Sequence, residues 1–245
     1  MASAAYRSDI DGLRCLAILP VVFNHAGFSA VPGGFIGVDI FFVISGFLIT
    51  GILARELDEN SFSIVRFYER RARRILPALF AVILACLIAG WIIMLPSEYV
   101  RLAKSAIATL LFVSNFWFWH AAGDYFGANV VFEPLLHTWS LAVEEQFYII
   151  FPLLLWGLSR LPRRIWIAAI AIICLVSFAL SVWLTSAYPT FSFYLLPSRA
   201  WELGLGALLA LGLIPPPPRN SPSVAAPDCG VRRTCSDCWQ YRSCR

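Results

Sequence analysis

The amino-acid sequence predicts an all-α protein, namely a polytopic bundle of six or seven membrane-spanning helices followed by a disordered tail. Of the 245 residues, 59% are hydrophobic and only 14% are charged, whereas a soluble domain has about a quarter charged residues. The apolar residues form separate runs near the length of about 20 residues that crosses a bilayer as a helix. This pattern stops at the four consecutive prolines 215–218.

The first two apolar runs, 13–31 and 35–54, are separated by a Pro-Gly-Gly turn and predict a helical hairpin. Residues 55–75 are hydrophilic and contain six arginines. Basic loops stay in the cytoplasm, so this loop and the N-terminus are expected on the cytoplasmic side of the inner (plasma) membrane. A third span is expected at 76–95.

The segment 101–119 allows two interpretations, because it is long enough to cross but begins with Arg101 and Lys104. If it crosses, the basic residues at 160–164 fall outside; if it is re-entrant or lies on the outer surface, they fall in the cytoplasm. The positive-inside rule favours the second interpretation. Further spans are expected at 137–158, 165–186 and 199–214.

The composition divides the chain into a membrane domain, 1–214, and a tail, 215–245. The tail is polar and carries four cysteines spaced C-x5-C-x2-C-x5-C. Zinc binding would need a recognised ligand spacing, and one C-x-x-C without histidine is weak evidence for it. The favoured interpretation is a disordered tail or one foreign to the domain, as a shifted reading frame would produce, and no metal is expected.

Arg14 and His25 are the first candidates for chemistry. Eleven residues at 100° each return His25 to within about 20° of the face of Arg14, roughly 16 Å along the helix. Ionisable side chains inside a membrane helix are costly and normally functional, and imidazole transfers protons near neutral pH. The alternative is a histidine that anchors the helix end at the headgroups.

The sequence Arg70-Arg71-Ala-Arg73-Arg74 offers guanidinium groups that share a helical face three residues apart. Such groups grip phosphates in a bidentate manner, so a polyphosphate ligand is one interpretation. A topology signal that binds anionic lipid headgroups is the other, and the sequence favours neither. Asp39, near the start of the second span, needs a partner for its carboxylate.

Two more polar groups lie in later spans. His137 and Glu144, seven residues apart, share a face about 10 Å apart. At least one acid of Glu144-Glu145 must face a cavity or a cation at that depth. Arg199 and Glu202 are expected to form an ion pair, since they are three residues apart.

These residues lie in motifs that resemble the membrane acyltransferase type 3 family, whose members O-acylate surface polysaccharides such as lipopolysaccharide, peptidoglycan, nodulation factors and antibiotics. The matching stretches run in family order over 6–212: RSDIDGLR (7–14), FNHAG (23–27), GGFIGVDIFFVISGFLIT (33–50), FYERRARRILP (67–77), LHTWSLAVEEQFY (136–148) and YLLPSRAWELG (194–204).

The resemblance implies transfer of an acyl group, usually acetyl from cytoplasmic acetyl-CoA, to a glycan hydroxyl outside. Arg14 with His25, and Arg71 with Arg74, match two family motifs. The residues assigned to catalysis are Arg14, His25, Asp39, His137 and Glu144. Those assigned to the phosphates of acyl-CoA are Arg70, Arg71, Arg73 and Arg74. Those assigned to the substrate are Trp139, Ser140 and Arg199.

The resemblance also leads us to expect about ten spans, so we expect the chain to be a C-terminally truncated member of the family. One alternative to an active acyltransferase is therefore a non-catalytic remnant of the enzyme. A second alternative is a proton-coupled transporter, since intramembrane His, Asp and Glu also serve proton relays. The expected partners are the lipid bilayer, acyl-CoA and a glycan acceptor, and no nucleic acid.

Overall fold

The computed structural model describes residues 8–26, 33–123 and 133–213. These residues form helices and no strand, which confirms the all-α prediction. The helices are α1 (Ser8–His25), α2 (Ile36–Asp58), α3 (Ile64–Ile93), α4 (Pro96–Leu110), α5 (Ser114–Gly123), α6 (Thr138–Leu158), α7 (Arg163–Ala187), α8 (Pro189–Tyr194) and α9 (Leu196–Leu213). The cysteine-rich tail lies outside the described residues.

Four of the described helices, α2, α3, α6 and α7, are long and apolar enough to cross a membrane. Large apolar side chains are exposed along them, for example Trp91 on α3 and Leu175 on α7, as expected for surfaces that contact lipid rather than water. The chain is therefore a multi-pass membrane protein. Six or seven spans is only an approximate count, because α1 and α9 have 18 residues each and carry charges.

The predicted hydrophilic loop at 55–75 is wrong in extent. Helix α2 continues to Asp58 and α3 begins at Ile64, so only 59–63 connect them. The arginine sequence 70–74 is part of α3, since arginine and alanine are strong helix formers and no residue there breaks the helix. The arginines therefore have fixed directions around the helix axis, and neighbours such as Arg70 and Arg71 point about 100° apart.

The ambiguous segment 101–119 is two short helices rather than one. Between α4 and α5 the chain turns at Phe112, a non-glycine residue with φ 54°. With 15 and 10 residues, neither helix reaches the roughly 20 residues of a full crossing. A single continuous span is thus excluded. The re-entrant or surface placement stays a prediction.

Polar side chains from α6 satisfy the backbone at this break. The amide of Gln146 donates to the Phe112 carbonyl at 3.0 Å and exchanges hydrogen bonds with the Asn115 side chain at 2.8 and 3.3 Å. The Thr109 and Thr138 hydroxyls lie 2.9 Å apart. A carbonyl freed from a helix is costly in an apolar environment unless it is paired, so these residues permit the turn.

Helices α2 and α9 form the centre of the bundle and pack backbone against backbone. A Cβ atom placed on Gly46 would collide with the carbonyl of Leu203, and one placed on Gly206 would collide with the carbonyl of Val43. Small residues allow membrane helices to approach this closely. Helix α1 packs on α2 and α7 packs on α9, while α6 contacts both central helices.

Candidate active site

A polar cluster connects α3 with α6. The Arg71 guanidinium donates to Glu145 at 2.7 Å, and the two side chains are only 19% and 12% exposed. The same guanidinium lies 3.6 Å from the centre of the Tyr148 ring. The Tyr148 hydroxyl donates to Glu144 at 2.6 Å. We call Arg71, Glu144, Glu145 and Tyr148 the α3–α6 cluster.

The α3–α6 cluster provides a partner for each of the two adjacent acids of α6, Glu144 and Glu145. Glu145 faces a cation, Arg71, as at least one of the acids must. Glu144 is buried and accepts a hydrogen bond from a tyrosine instead. Tyr68 adds a second link, because its hydroxyl lies 3.3 and 3.2 Å from the carbonyls of Tyr148 and Ile149.

The four arginines of the motif do not act as one group. Arg71 points into the bundle, whereas Arg70, Arg73 and Arg74 are exposed. Arg70 pairs with Glu56, and Arg73 pairs with Glu69 one turn earlier on α3, each at 2.6 Å. A ligand that contacts the partly buried Arg71 can therefore most easily reach Arg74, which lies about 60° from it around the axis.

A second cluster connects α2 with α9. The Nη1 atom of Arg199 donates to Asp39 at 2.7 Å and to Glu202 at 2.9 Å. The ion pair predicted for Arg199 and Glu202 is thus confirmed, and Asp39 has the partner that its position requires. The Glu202 side chain is only 2% exposed, and its Oε2 atom makes no hydrogen bond to a described residue. We call these three residues the α2–α9 cluster.

Aromatic rings enclose the guanidinium of this second cluster. Its Cζ atom lies 5.7 Å from the Trp139 ring centre and 5.2 Å from that of Phe193. Those two rings are themselves 4.7 Å apart, and Phe42 and Tyr194 pack edge-on against Trp139. Aromatic faces attract cations, and most strongly where water is excluded. Arg199 is therefore held in one orientation.

Helix α6 carries three residues of the α3–α6 cluster and also Trp139, whose ring lies against Arg199 of the α2–α9 cluster. Trp139 and Glu145 are six residues apart, which corresponds to about 9 Å along the axis. His137 is the exposed residue that precedes the helix, and its carbonyl accepts a hydrogen bond from the Ser140 hydroxyl. His137 thus lies at the helix start, while Glu144 lies inside the bundle.

The Arg14–His25 pair lies on α1, as predicted, and His25 is its last residue. The Arg14 guanidinium lies 6.0 Å from the centre of the Phe41 ring on α2, and its Nε atom is buried without a hydrogen bond to a described residue. The side chain of His25 lies outside the described residues, so its role stays a prediction.

Sequence reasoning missed Tyr148 of the α3–α6 cluster and Tyr68, which lies beside it. Tyr148 stands at the start of an apolar run and Tyr68 in the hydrophilic stretch 55–75, and only their contacts in the structure reveal their hydrogen bonds. One signal was available: Tyr148 follows Glu144 by four residues, a spacing that places both on one helical face. Asn115 and Gln146 had no such signal, because they belong to different helices.

Comparison with known proteins gives the same family as the sequence motifs. The model of a family described as "Acyltransferase domain" matches residues 7–222. The peptidoglycan O-acetyltransferase OatA of Listeria monocytogenes is 37% identical over 233 residues, which cover 91% of this chain and 37% of that protein. The O-acetyltransferase OatA of Staphylococcus aureus is 38% identical over 185 residues, or 74% of this chain and 30% of that protein. The chain spans about a third of these relatives. No solved structure matches it.

Proposed function

Since the chain belongs to the membrane acyltransferase type 3 family, we propose that it forms an integral-membrane O-acyltransferase site, which moves an acetyl group from cytoplasmic acyl-CoA to a hydroxyl of a cell-surface glycan. The match of the family model over residues 7–222 carries this proposal. Peptidoglycan is the first acceptor to test, because the name of the Listeria relative specifies it.

The donor side of the proposal assigns Arg71 and Arg74 to the phosphates of acyl-CoA. Both lie at the start of α3, at the end of the bundle where the arginines concentrate. Arg74 is exposed, whereas Arg71 is oriented by Glu145 and by the Tyr148 ring. One guanidinium group can donate two parallel hydrogen bonds to phosphate oxygens, so two arginines on neighbouring turns suit a polyphosphate.

On the acceptor side, we assign the catalytic chemistry to His25. As a general base, it takes the proton of the acceptor hydroxyl while that oxygen attacks the thioester carbonyl. The carbon–sulfur bond then breaks, and the CoA thiolate leaves with a proton returned by the imidazolium. A covalent acyl-histidine relay is the alternative route. Arg14, about three turns earlier on the same helix, would lie between the donor and the acceptor.

The α2–α9 cluster fits a supporting role at the acceptor. Arg199 is charged, partly accessible at 14% side-chain exposure, and flanked by Trp139. An aromatic ring beside a hydrogen-bond donor is a common way to hold a sugar or a thioester carbonyl. We assign Arg199, Trp139 and Ser140 to substrate contacts, and Asp39 to the orientation of Arg199.

The orientation that this mechanism requires has a cytoplasmic N-terminus in the inner membrane. The arginines at the end of α2 and at the start of α3, and those around the start of α7, support it. Donor phosphates would then meet the arginines of α3 from the cytoplasm, and the acceptor would approach from outside.

The test supplies radiolabelled acetyl-CoA to membranes that contain this chain and follows label into cell-surface glycan. We expect transfer that His25→Ala abolishes and Arg71→Ala reduces at least about tenfold, consistent with the loss of a charged hydrogen bond. Arg164→Ala, an exposed arginine at the same end of the bundle, is the matched control and should keep its activity. Transfer that persists in His25→Ala would refute the proposed chemistry.

A further inference from the structure

One face of α3 is exposed along its whole length and changes character from basic to apolar. Arg66, Arg70 and Arg73 are exposed at its start. Their spacing of four and three residues places them within about 60° of one another around the axis. The same arc continues into apolar side chains that are 53–76% exposed: Phe80, Leu84, Ile88 and Trp91. We call this surface the arginine face of α3.

The basic end of the arginine face forms a shallow depression. Arg66, Glu69, Arg70 and Arg73 line it, and its volume is about 270 Å³. Arg71 lies about 100° away from Arg70 and turns into the bundle, so it does not belong to this surface. The depression is separate from the α3–α6 cluster.

The acids near the depression leave its guanidinium groups available. Glu56 and Glu69 each contact a single guanidinium nitrogen, on Arg70 and Arg73 respectively. The two arginine side chains are 52% and 79% exposed. Ion pairs this exposed contribute little to the free energy of folding. A phosphate, by contrast, can accept hydrogen bonds from several guanidinium groups at once.

We propose that the arginine face of α3 binds an anionic phospholipid. Its phosphodiester lies among Arg66, Arg70 and Arg73, and its acyl chains lie along Phe80 and Leu84. The order of basic and then apolar side chains along one exposed helical face matches the order of headgroup and chains in a lipid. Basic residues at the end of a membrane helix attract anionic headgroups. This inference needs only insertion in a membrane and does not depend on acyl transfer.

The test measures lipid adducts of the detergent-solubilised full chain by native mass spectrometry. The probes are dioleoylphosphatidylglycerol and, as a neutral lipid of similar chains, dioleoylphosphatidylcholine. The test variant carries Arg66→Gln, Arg70→Gln and Arg73→Gln. The matched control carries the same loss of charge at the same end of the bundle, through Arg55→Gln, Arg160→Gln and Arg164→Gln, all exposed in the structure.

We expect the wild type to retain phosphatidylglycerol over phosphatidylcholine. The test variant should bind phosphatidylglycerol at least about tenfold more weakly, because each basic residue near an anionic surface raises the affinity for it several-fold. The control should stay within about twofold. A variant with lysine at positions 66, 70 and 73 keeps the charge and should retain part of the preference, which shows that a loss in the glutamine variant is not a loss of folding.

Three results would overturn the proposal. The test variant could bind phosphatidylglycerol as the wild type does, or the control could weaken equally, which would indicate net charge rather than a site. Inorganic phosphate could displace the lipid completely, which would indicate an anion site without a role for the apolar part of the arginine face.

Discussion

Removal of Glu145 tests whether the α3–α6 cluster holds the bundle together. In Glu145→Ala the Arg71 guanidinium stays largely enclosed in the bundle without its carboxylate. Removing one partner of a buried ion pair lowers the free energy of unfolding by about 3–5 kcal/mol. Because the two side chains are 19% and 12% exposed, solvent screens the remaining charge only weakly. Glu144 offers partial compensation, so we expect the low end, about 3 kcal/mol.

The assay measures unfolding free energies in mixed detergent micelles, for Glu145→Ala and for a double-mutant cycle of Arg71→Met, Glu145→Leu and the two together. The double variant replaces both charges by apolar side chains of similar size. Such replacements of buried pairs are often neutral, so we expect the double variant to be more stable than either single variant and also unable to transfer acetyl groups. Glu69→Ala, which breaks the exposed pair with Arg73, is the control and should cost less than about 1 kcal/mol.

Either of two results would refute this reasoning. If Glu145→Ala costs no more than the Glu69→Ala control, the buried pair does not stabilise the contact between α3 and α6. If the double variant is as unstable as the single variants, its instability comes from lost packing rather than from an uncompensated charge. Wild-type acetyl transfer in the double variant would remove Arg71 from the proposed donor site.

Three further predictions concern the rest of the bundle. Gly46→Leu should prevent the close contact of α2 with α9 and cost more than about 3 kcal/mol, whereas Gly157→Ala, where a Cβ meets nothing within 4 Å, should be neutral or stabilising by up to about 1 kcal/mol. Arg199→Met should cost about 3–5 kcal/mol, because it leaves two carboxylates without their cation. Gln146→Leu should cost about 1–3 kcal/mol, because it leaves the Phe112 carbonyl and Asn115 unpaired. Thermal unfolding in detergent measures all three.

Each of these predictions has a result that contradicts it. Equal stability of the Gly46→Leu and Gly157→Ala variants would show that α2 and α9 tolerate separation. A stable Arg199→Met variant would mean that Asp39 and Glu202 are not both charged in the bundle. A stable Gln146→Leu variant would mean that water or another group pairs with the Phe112 carbonyl.

Much of the fold could be predicted because its signals are local. Runs such as 137–158 and 165–186 lie within about two residues of α6 and α7, since their length and apolarity depend only on neighbouring residues. The pair of Arg199 with Glu202 was predictable for the same reason, because i,i+3 spacing brings side chains together on any helix. The family was recognisable from motifs that are contiguous in the chain.

The positions of helix ends and breaks were harder. The sequence 55–75 is hydrophilic, yet most of it is helical, because hydrophilicity reports exposure to water rather than the end of a helix. The turn at Phe112 contains no glycine or proline. It depends on hydrogen bonds from Gln146, which lies 34 residues further along the chain.

The membrane class, most of the helices, the family and the set of charged residues that need partners thus follow from the amino-acid order alone. Their partners follow from the packing of the helices: Glu145 for Arg71, Arg199 for Asp39, and the backbone of α9 for Gly46. Local patterns follow from the geometry of a single helix. Pairing across helices depends on which faces meet when apolar surfaces pack. Asp39 and Arg199 are 160 positions apart in the chain, and a single sequence contains no pattern that predicts their contact.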